Sequence, residues 1–175
     1  SSKLEVRLGN HPFIPVIKGT AFNENALTTL THNPSVTATG SNTVQGQPPA
    51  GAGINQRSSS DFDFNYDLRP SLTSFAFANI SNGFFDQNGV FQGTAGTLPQ
   101  NFVIAARGPS GSQARVEIKD TSGRQATFIL KLTPALQNFT LTLSGDNVPA
   151  GFDITKVATL VFVVDRGLVS PSLND

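Results

Sequence analysis

The chain contains no cysteine, no methionine and no tryptophan, and it has one tyrosine among its 175 residues. Without thiols there is no disulfide framework, no thiolate zinc or iron–sulfur site and no thiol nucleophile. Losing Met as well as Cys removes the most oxidisable side chains, which suits a protein that works outside the cell, so an extracellular or cell-surface location is expected. Ser1 in place of an initiator Met adds the expectation of a processed or trimmed product whose signal peptide has gone. Charge is also scarce, at 14% of residues against about 25% in an average soluble domain. Lys plus Arg number 12 and Asp plus Glu number 12, giving a formal net charge of zero. No long-range field draws such a chain to nucleic acid or to an anionic membrane, and neither is expected as a partner. Long apolar runs are missing too. The longest candidate, Val157 to Val164 before Asp165, falls far short of the ~18 residues of a membrane span, so no membrane insertion is expected.

What is present is a period of two. In Asp61-Phe62-Asp63-Phe64-Asn65-Tyr66-Asp67-Leu68 apolar residues hold the even positions and acids or Asn the odd ones, the mark of a strand with one buried face. The same alternation returns in Ala114 to Lys119, Ala126 to Leu132 and Phe139 to Leu143. Asp120-Thr121-Ser122-Gly123 lies between the first two of these, and its Asp-to-Gly order predicts a hairpin turn with positive φ at the glycine. Phe75 to Ile80, Asn101 to Arg107 and Ala158 to Asp165 are more continuously apolar, as expected of central strands covered on both faces. Only Asn23 to Thr31 and Asp153 to Val157 suit short helical turns. Many short strands between Gly, Pro, Asn and Asp turns predict an all-β fold, a single antiparallel β-sandwich of jelly-roll type. At 18.5 kDa residues 1–175 are expected to form one domain. Residues 1–60 would be irregular N-terminal strands and loops, with Asn33 to Ser60 either a long loop covering a sheet, the favoured reading, or a mobile segment, and 61–165 the jelly-roll core.

The order of segments carries a resemblance. Asn101 to Arg107 ends in a basic residue; Arg115-Val116-Glu117-Ile118-Lys119-Asp120-Thr121-Ser122-Gly123-Arg124 follows; Phe139-Thr140-Leu141-Thr142-Leu143 comes next; Phe152-Asp153-Ile154-Thr155-Lys156-Val157 leads into the last apolar strand. This order resembles the C-terminal half of galactose-binding-like jelly-roll domains, particularly the carbohydrate-binding modules of bacterial polysaccharide-degrading enzymes. The resemblance covers about residues 61–165. It implies a non-catalytic module with a polysaccharide or surface glycan as partner. Such modules usually display aromatic platforms that include Trp, which this chain lacks.

A glycan site needs ring faces to stack on sugar C–H surfaces and planar polar groups for the hydroxyls. Arg115, Glu117 and Lys119 alternate along one strand, with Gln125, Thr127 and Ile129 expected beside them on the next and Arg107 able to join from the preceding strand. The alternative is an ordinary solvated sheet face with cross-strand ion pairs. Phe84 and Phe85, beside the turn residues Asp86-Gln87-Asn88-Gly89, are the stacking candidates. Extended chain would expose one of the two rings, whereas a loop twist would bury both, and the twist is the expected outcome. Calcium, as a structural ion, is the metal that fits an oxygen-rich chain without thiols, with Asp61 and Asp63 on one strand face and Asp86 and Asn88 in a loop as ligands. His11 and His32 have no His neighbour at metal-ligand spacing and are expected in surface loops. Asn79-Ile80-Ser81 and Asn138-Phe139-Thr140 have the form of glycosylation sequons.

No enzyme is expected. There is no Gly-x-Ser-x-Gly elbow, no phosphate loop, and only three glutamates, Glu5, Glu24 and Glu117, toward a glycosidase pair. The leading expectation is an extracellular carbohydrate-binding or surface-adhesion module. The competing one is a self-assembling subunit of a filament, surface layer or biofilm matrix. Leu4 to Leu8 and Phe13 to Ile17 would either complete their own sheet or add a strand to a neighbour's edge. A viral capsid jelly roll is disfavoured because no basic arm is present.

Overall fold

The computed structural model describes residues 2–8, 19–23, 28–31, 53–56, 61–66, 75–81 and 83–165. Its strands in chain order begin with β1 (Ser2–Arg7), β2 (Gly19–Asn23), β3 (Thr28–Thr31), β4 (Gly53–Gln56), β5 (Asp61–Tyr66) and β6 (Phe75–Ser81). There follow β7 (Gly83–Phe85), β8 (Phe91–Gly93), β9 (Asn101–Arg107), β10 (Gln113–Asp120), β11 (Gln125–Lys131), β12 (Gln137–Thr142) and β13 (Val157–Asp165). Among the described residues the only helix is a 3-10 turn at Gly145–Asn147. The fold is therefore mostly β, as the alternation predicts. The strands form three antiparallel sheets, none closed into a barrel. One has five strands in the order β12-β9-β1-β5-β4, one has six in the order β11-β10-β13-β6-β2-β3, and one is the β7-β8 pair.

The period of two is what joins the larger sheets. Leu4 and Val6 of β1, Phe102, Ile104 and Ala106 of β9 and Leu141 of β12 are buried from the five-stranded sheet. Ala114, Val116 and Ile118 of β10, Ala126 and Leu130 of β11 and Leu160, Phe162 and Val164 of β13 are buried from the six-stranded sheet, and all these residues belong to one apolar cluster. Each fully buried aliphatic or aromatic side chain stabilises by about 1.5–3 kcal/mol, so the cluster supplies the main driving force of the fold. On β5, Phe62 and Phe64 stand in register opposite Val6 and Leu4.

Several expectations are corrected. Asn23 and Thr28–Thr31 are strand rather than helical turn: β2 and β3 pair with Asn23 opposite Thr28, in keeping with the strand preference of the β-branched threonines there. Asn33 to Ser60 is not loop throughout, because Gly53–Gln56 is a strand that pairs with β5. β9 is not covered on both faces. It alternates between exposed and buried positions, with Val103 46% exposed, since its small and polar residues Asn101 and Ala105 share the outward face with Val103. β13 does behave as a central strand, flanked by β10 and β6 and buried along both faces from Val157 to Val164 apart from the half-buried Val161. At 153–156 the chain makes a single turn, closed by the Lys156 N–H donating to the Asp153 carbonyl at 3.1 Å. Phe13 to Ile17, His11, His32, Asp67 and most of Asn33 to Ser60 lie outside the described residues.

Candidate functional site

The polar face expected on the 113–131 hairpin is present. β10 and β11 pair with Arg115 opposite Ile129, Glu117 opposite Thr127 and Lys119 opposite Gln125. Because Ala114, Val116, Ile118 and Asp120 point inward, Arg115, Glu117 and Lys119 share the outer face and are half-buried, beside the exposed Gln125, Thr127 and Ile129. Arg115 Nε donates to Glu117 Oε2 at 2.7 Å, and Gln125 Nε2 donates to Thr127 Oγ1 at 3.2 Å.

Arg107 does not join this group. It ends β9 in the five-stranded sheet, where its guanidinium pairs with Glu5, a carboxylate only 2% exposed. The turn Gly108-Pro109-Ser110-Gly111 then carries the chain to the other sheet. Ser112 closes it, donating both its N–H, at 3.0 Å, and its Oγ–H, at 2.6 Å, to the Pro109 carbonyl. Gly111 in this turn takes φ of 79°, which glycine adopts without steric cost. Sequence proximity of Arg107 to Arg115 thus hides a change of sheet.

The two phenylalanines part company. β7 is extended, so Phe84 is 52% exposed while Phe85 is half-buried; the twist that would bury both does not form. Phe85 packs on its cross-strand partner Phe91 with ring centroids 5.3 Å apart, and Lys119 Nζ lies 5.5 Å from the Phe85 ring centroid. That cation–π contact sets the β7-β8 hairpin against the outer face of β10. The hairpin's other face carries Phe84 with Gln92 directly opposite, and Val90 beyond them is 53% exposed. The close approach of the two strands requires glycine: a Cβ on Gly83 would stand 2.2 Å from the Gln92 carbonyl oxygen.

Asp86 organises this hairpin's turn. Its Oδ1 accepts the N–H groups of Asn88 at 2.8 Å and Val90 at 3.0 Å, and its Oδ2 accepts Gln92 Nε2 at 3.2 Å. These donors, the Val90 N–H foremost, hold the Asp86 carboxyl below its ordinary value against a smaller opposing effect of desolvation. The Gln92 amide is thereby fixed opposite Phe84, and among the described residues its carbonyl oxygen and second N–H meet no hydrogen-bond partner. Of the other calcium candidates, Asp61 and Asp63 lie on β5 in the five-stranded sheet, in register with Arg7 and Glu5. The four residues therefore fall into two places on separate sheets. Among the described residues no three His, Cys, Asp or Glu side chains gather at metal-binding distance.

Two features had no place in the sequence reading. Gln92 escaped notice because its strand is three residues long; the symmetric Gly-Phe-Phe and Phe-Gln-Gly pieces around a turn were the available signal. Asp120 is the other, not for its place in the turn, which the sequence predicts, but for its reach beyond it. It is 1% exposed, and its Oδ1 accepts the N–H groups of Ser122 and Arg124 while Oδ2 accepts the Asp153 N–H at 3.1 Å and faces Arg124 Nη1 at 3.5 Å. One carboxylate so ties the β10-β11 turn to the segment before β13. The Thr121 N–H reinforces the joint by donating to the Lys156 carbonyl at 2.9 Å.

No protein-family model matches this chain, and neither a curated protein nor a solved structure does.

Proposed function

We propose that this protein is a non-catalytic carbohydrate-binding or surface-adhesion module of the cell exterior, and that the β7-β8 hairpin with the adjoining face of β10 and β11 binds the glycan. The observation that carries this reading is Phe84, an aromatic ring held in solvent on a hairpin whose opposite position is a hydrogen-bonded amide, Gln92. A ring face with an amide and a carboxylate beside it suits a sugar, whose C–H face stacks on the ring while its hydroxyls meet planar polar groups. Lys119 meets the hairpin through Phe85, on the face opposite Phe84, and Glu117, Arg115 and Gln125 continue the polar surface along the sheet from there.

The finer architecture belongs to the same proposal. Two larger sheets that share one apolar cluster support a jelly-roll sandwich, and the resemblance of residues 61–165 to carbohydrate-binding modules points the same way. A calcium ion would have two oxygen-bearing side chains at the β7-β8 turn, Asp86 and Asn88. Melting with Ca2+ and with EDTA checks it, a rise in Tm with Ca2+ supporting the ion and equal curves removing it.

The functional test is a glycan array followed by affinity electrophoresis on the glycans retained. Native protein is expected to bind, and Phe84→Ala to weaken binding about tenfold or more with Tm unchanged, because the ring is exposed. Failure of the native protein to bind any polysaccharide, or binding by Phe84→Ala equal to native, overturns the reading.

A further inference from the structure

Sheet edges are open rows of backbone donors and acceptors, and proteins guard them with charge, proline, bulges or brevity. Among the described strands, β3, β4, β11 and β12 are the edges of the two larger sheets. β3 and β4 are protected by their length of four residues each, and β11 carries Lys131. β12 has none of these devices. Its six residues, Gln137-Asn138-Phe139-Thr140-Leu141-Thr142, include no charge, no proline and no glycine.

The direction of its free backbone groups follows from the register. The Leu143 N–H donates to the Gln100 carbonyl at 2.7 Å, and antiparallel pairs alternate between bonded and non-bonded. Leu141 with Phe102 and Phe139 with Ile104 are therefore bonded inward to β9, whereas Asn138, Thr140 and Thr142 direct their N–H and C=O groups to the open edge. The side chains of Asn138 and Thr140 are exposed and that of Thr142 is half-buried.

We propose that β12 is the surface through which two copies of this chain associate, pairing antiparallel about a two-fold axis at Thr140 so that the five-stranded sheets become continuous. This goes beyond the glycan reading and does not depend on it. Centring on Thr140 engages all three outward residues, giving about six main-chain hydrogen bonds. Thr140 meets the partner subunit's Thr140, a favourable cross-strand pair, and Asn138 meets the partner subunit's Thr142. On the inner side Phe139 meets the partner subunit's Leu141, which prolongs the apolar row. A strand that complements itself in this way fits a second copy, and a formal net charge of zero leaves no repulsion between copies to oppose it.

The test compares native protein with two double variants that differ at one residue, by sedimentation velocity over a concentration series and at low and high salt. In Asn138→Lys with Thr142→Lys, like charges face each other twice across the axis, and the dissociation constant is expected to rise at least about tenfold. In Asn138→Lys with Thr142→Glu, opposite charges meet at the same two places, and the dimer is expected to persist and to weaken with added salt. Since both variants burden the fold alike, a difference between them reports the register. Monomeric native protein at every concentration, or two variants that behave alike, overturns the proposal.

Discussion

Asp120 shows how much one side chain does in a structure with few charges. Its two oxygens serve three backbone N–H groups and an arginine, and removing it leaves donors near the core without acceptors. Asp120→Ala is expected to cost about 2–4 kcal/mol of unfolding free energy, measured by denaturant titration. Asp120→Asn should lose less, because Oδ1 still accepts from Ser122 and Arg124. A loss of under about 0.5 kcal/mol for the alanine variant would mean that water replaces the carboxylate. The turn was legible in the sequence from its Asp and Gly, and Gly123 takes the expected positive φ, 85°. That the same Asp reaches a segment thirty-three positions away was not, because periodicity records which face a residue occupies and not what arrives there from elsewhere. Arg107 taught the converse. Its charge and position were plain, but the turn after it changes sheets, and its partner proved to be Glu5.

At the scale of elements the β7-β8 hairpin is a piece that responds to pH. Its turn depends on an ionised Asp86, and the folded state holds that carboxyl below the ordinary carboxylate value. The stabilisation is therefore complete above the ordinary carboxylate value and is lost as pH falls through the depressed one. Amide NMR shifts of Asn88 and Val90 should titrate below the ordinary carboxylate value and stay flat from about pH 5 to about pH 8. A midpoint at or above the ordinary carboxylate value would contradict the hydrogen-bonded turn. Strand identity was readable wherever apolar and polar residues alternate over six or more positions, as in β5 and β10. It failed for β4, four residues opened by a glycine, and for Asn23 and β3, where the sequence alone suits a short helical turn. Pieces that short owe their conformation to the neighbours they pair with.

For the molecule as a whole, the N-terminal segment is structural rather than peripheral. β1 lies between β9 and β5, and Leu4, Val6 and Leu8 are buried in the common core. A chain lacking residues 1–8 is expected to lose cooperative unfolding altogether, since a middle strand and its three core side chains go together. A folded, soluble product with a sharp thermal transition would show that the remaining strands close the gap. Self-assembly by exchange of β1 would have to break both of its ladders. An uncharged outer edge such as β12 offers association without that loss.

The position of β1 also has a consequence for synthesis. The strand leaves the ribosome ahead of both its neighbours, which end at Tyr66 and Arg107. At about 5–20 residues per second, the interval between the arrival of the first neighbour and that of the second is roughly 2–8 s. For that time one margin of the nascent sheet waits for a strand not yet translated, and anything that slows decoding across this stretch lengthens the period in which another nascent chain can take the place of β9.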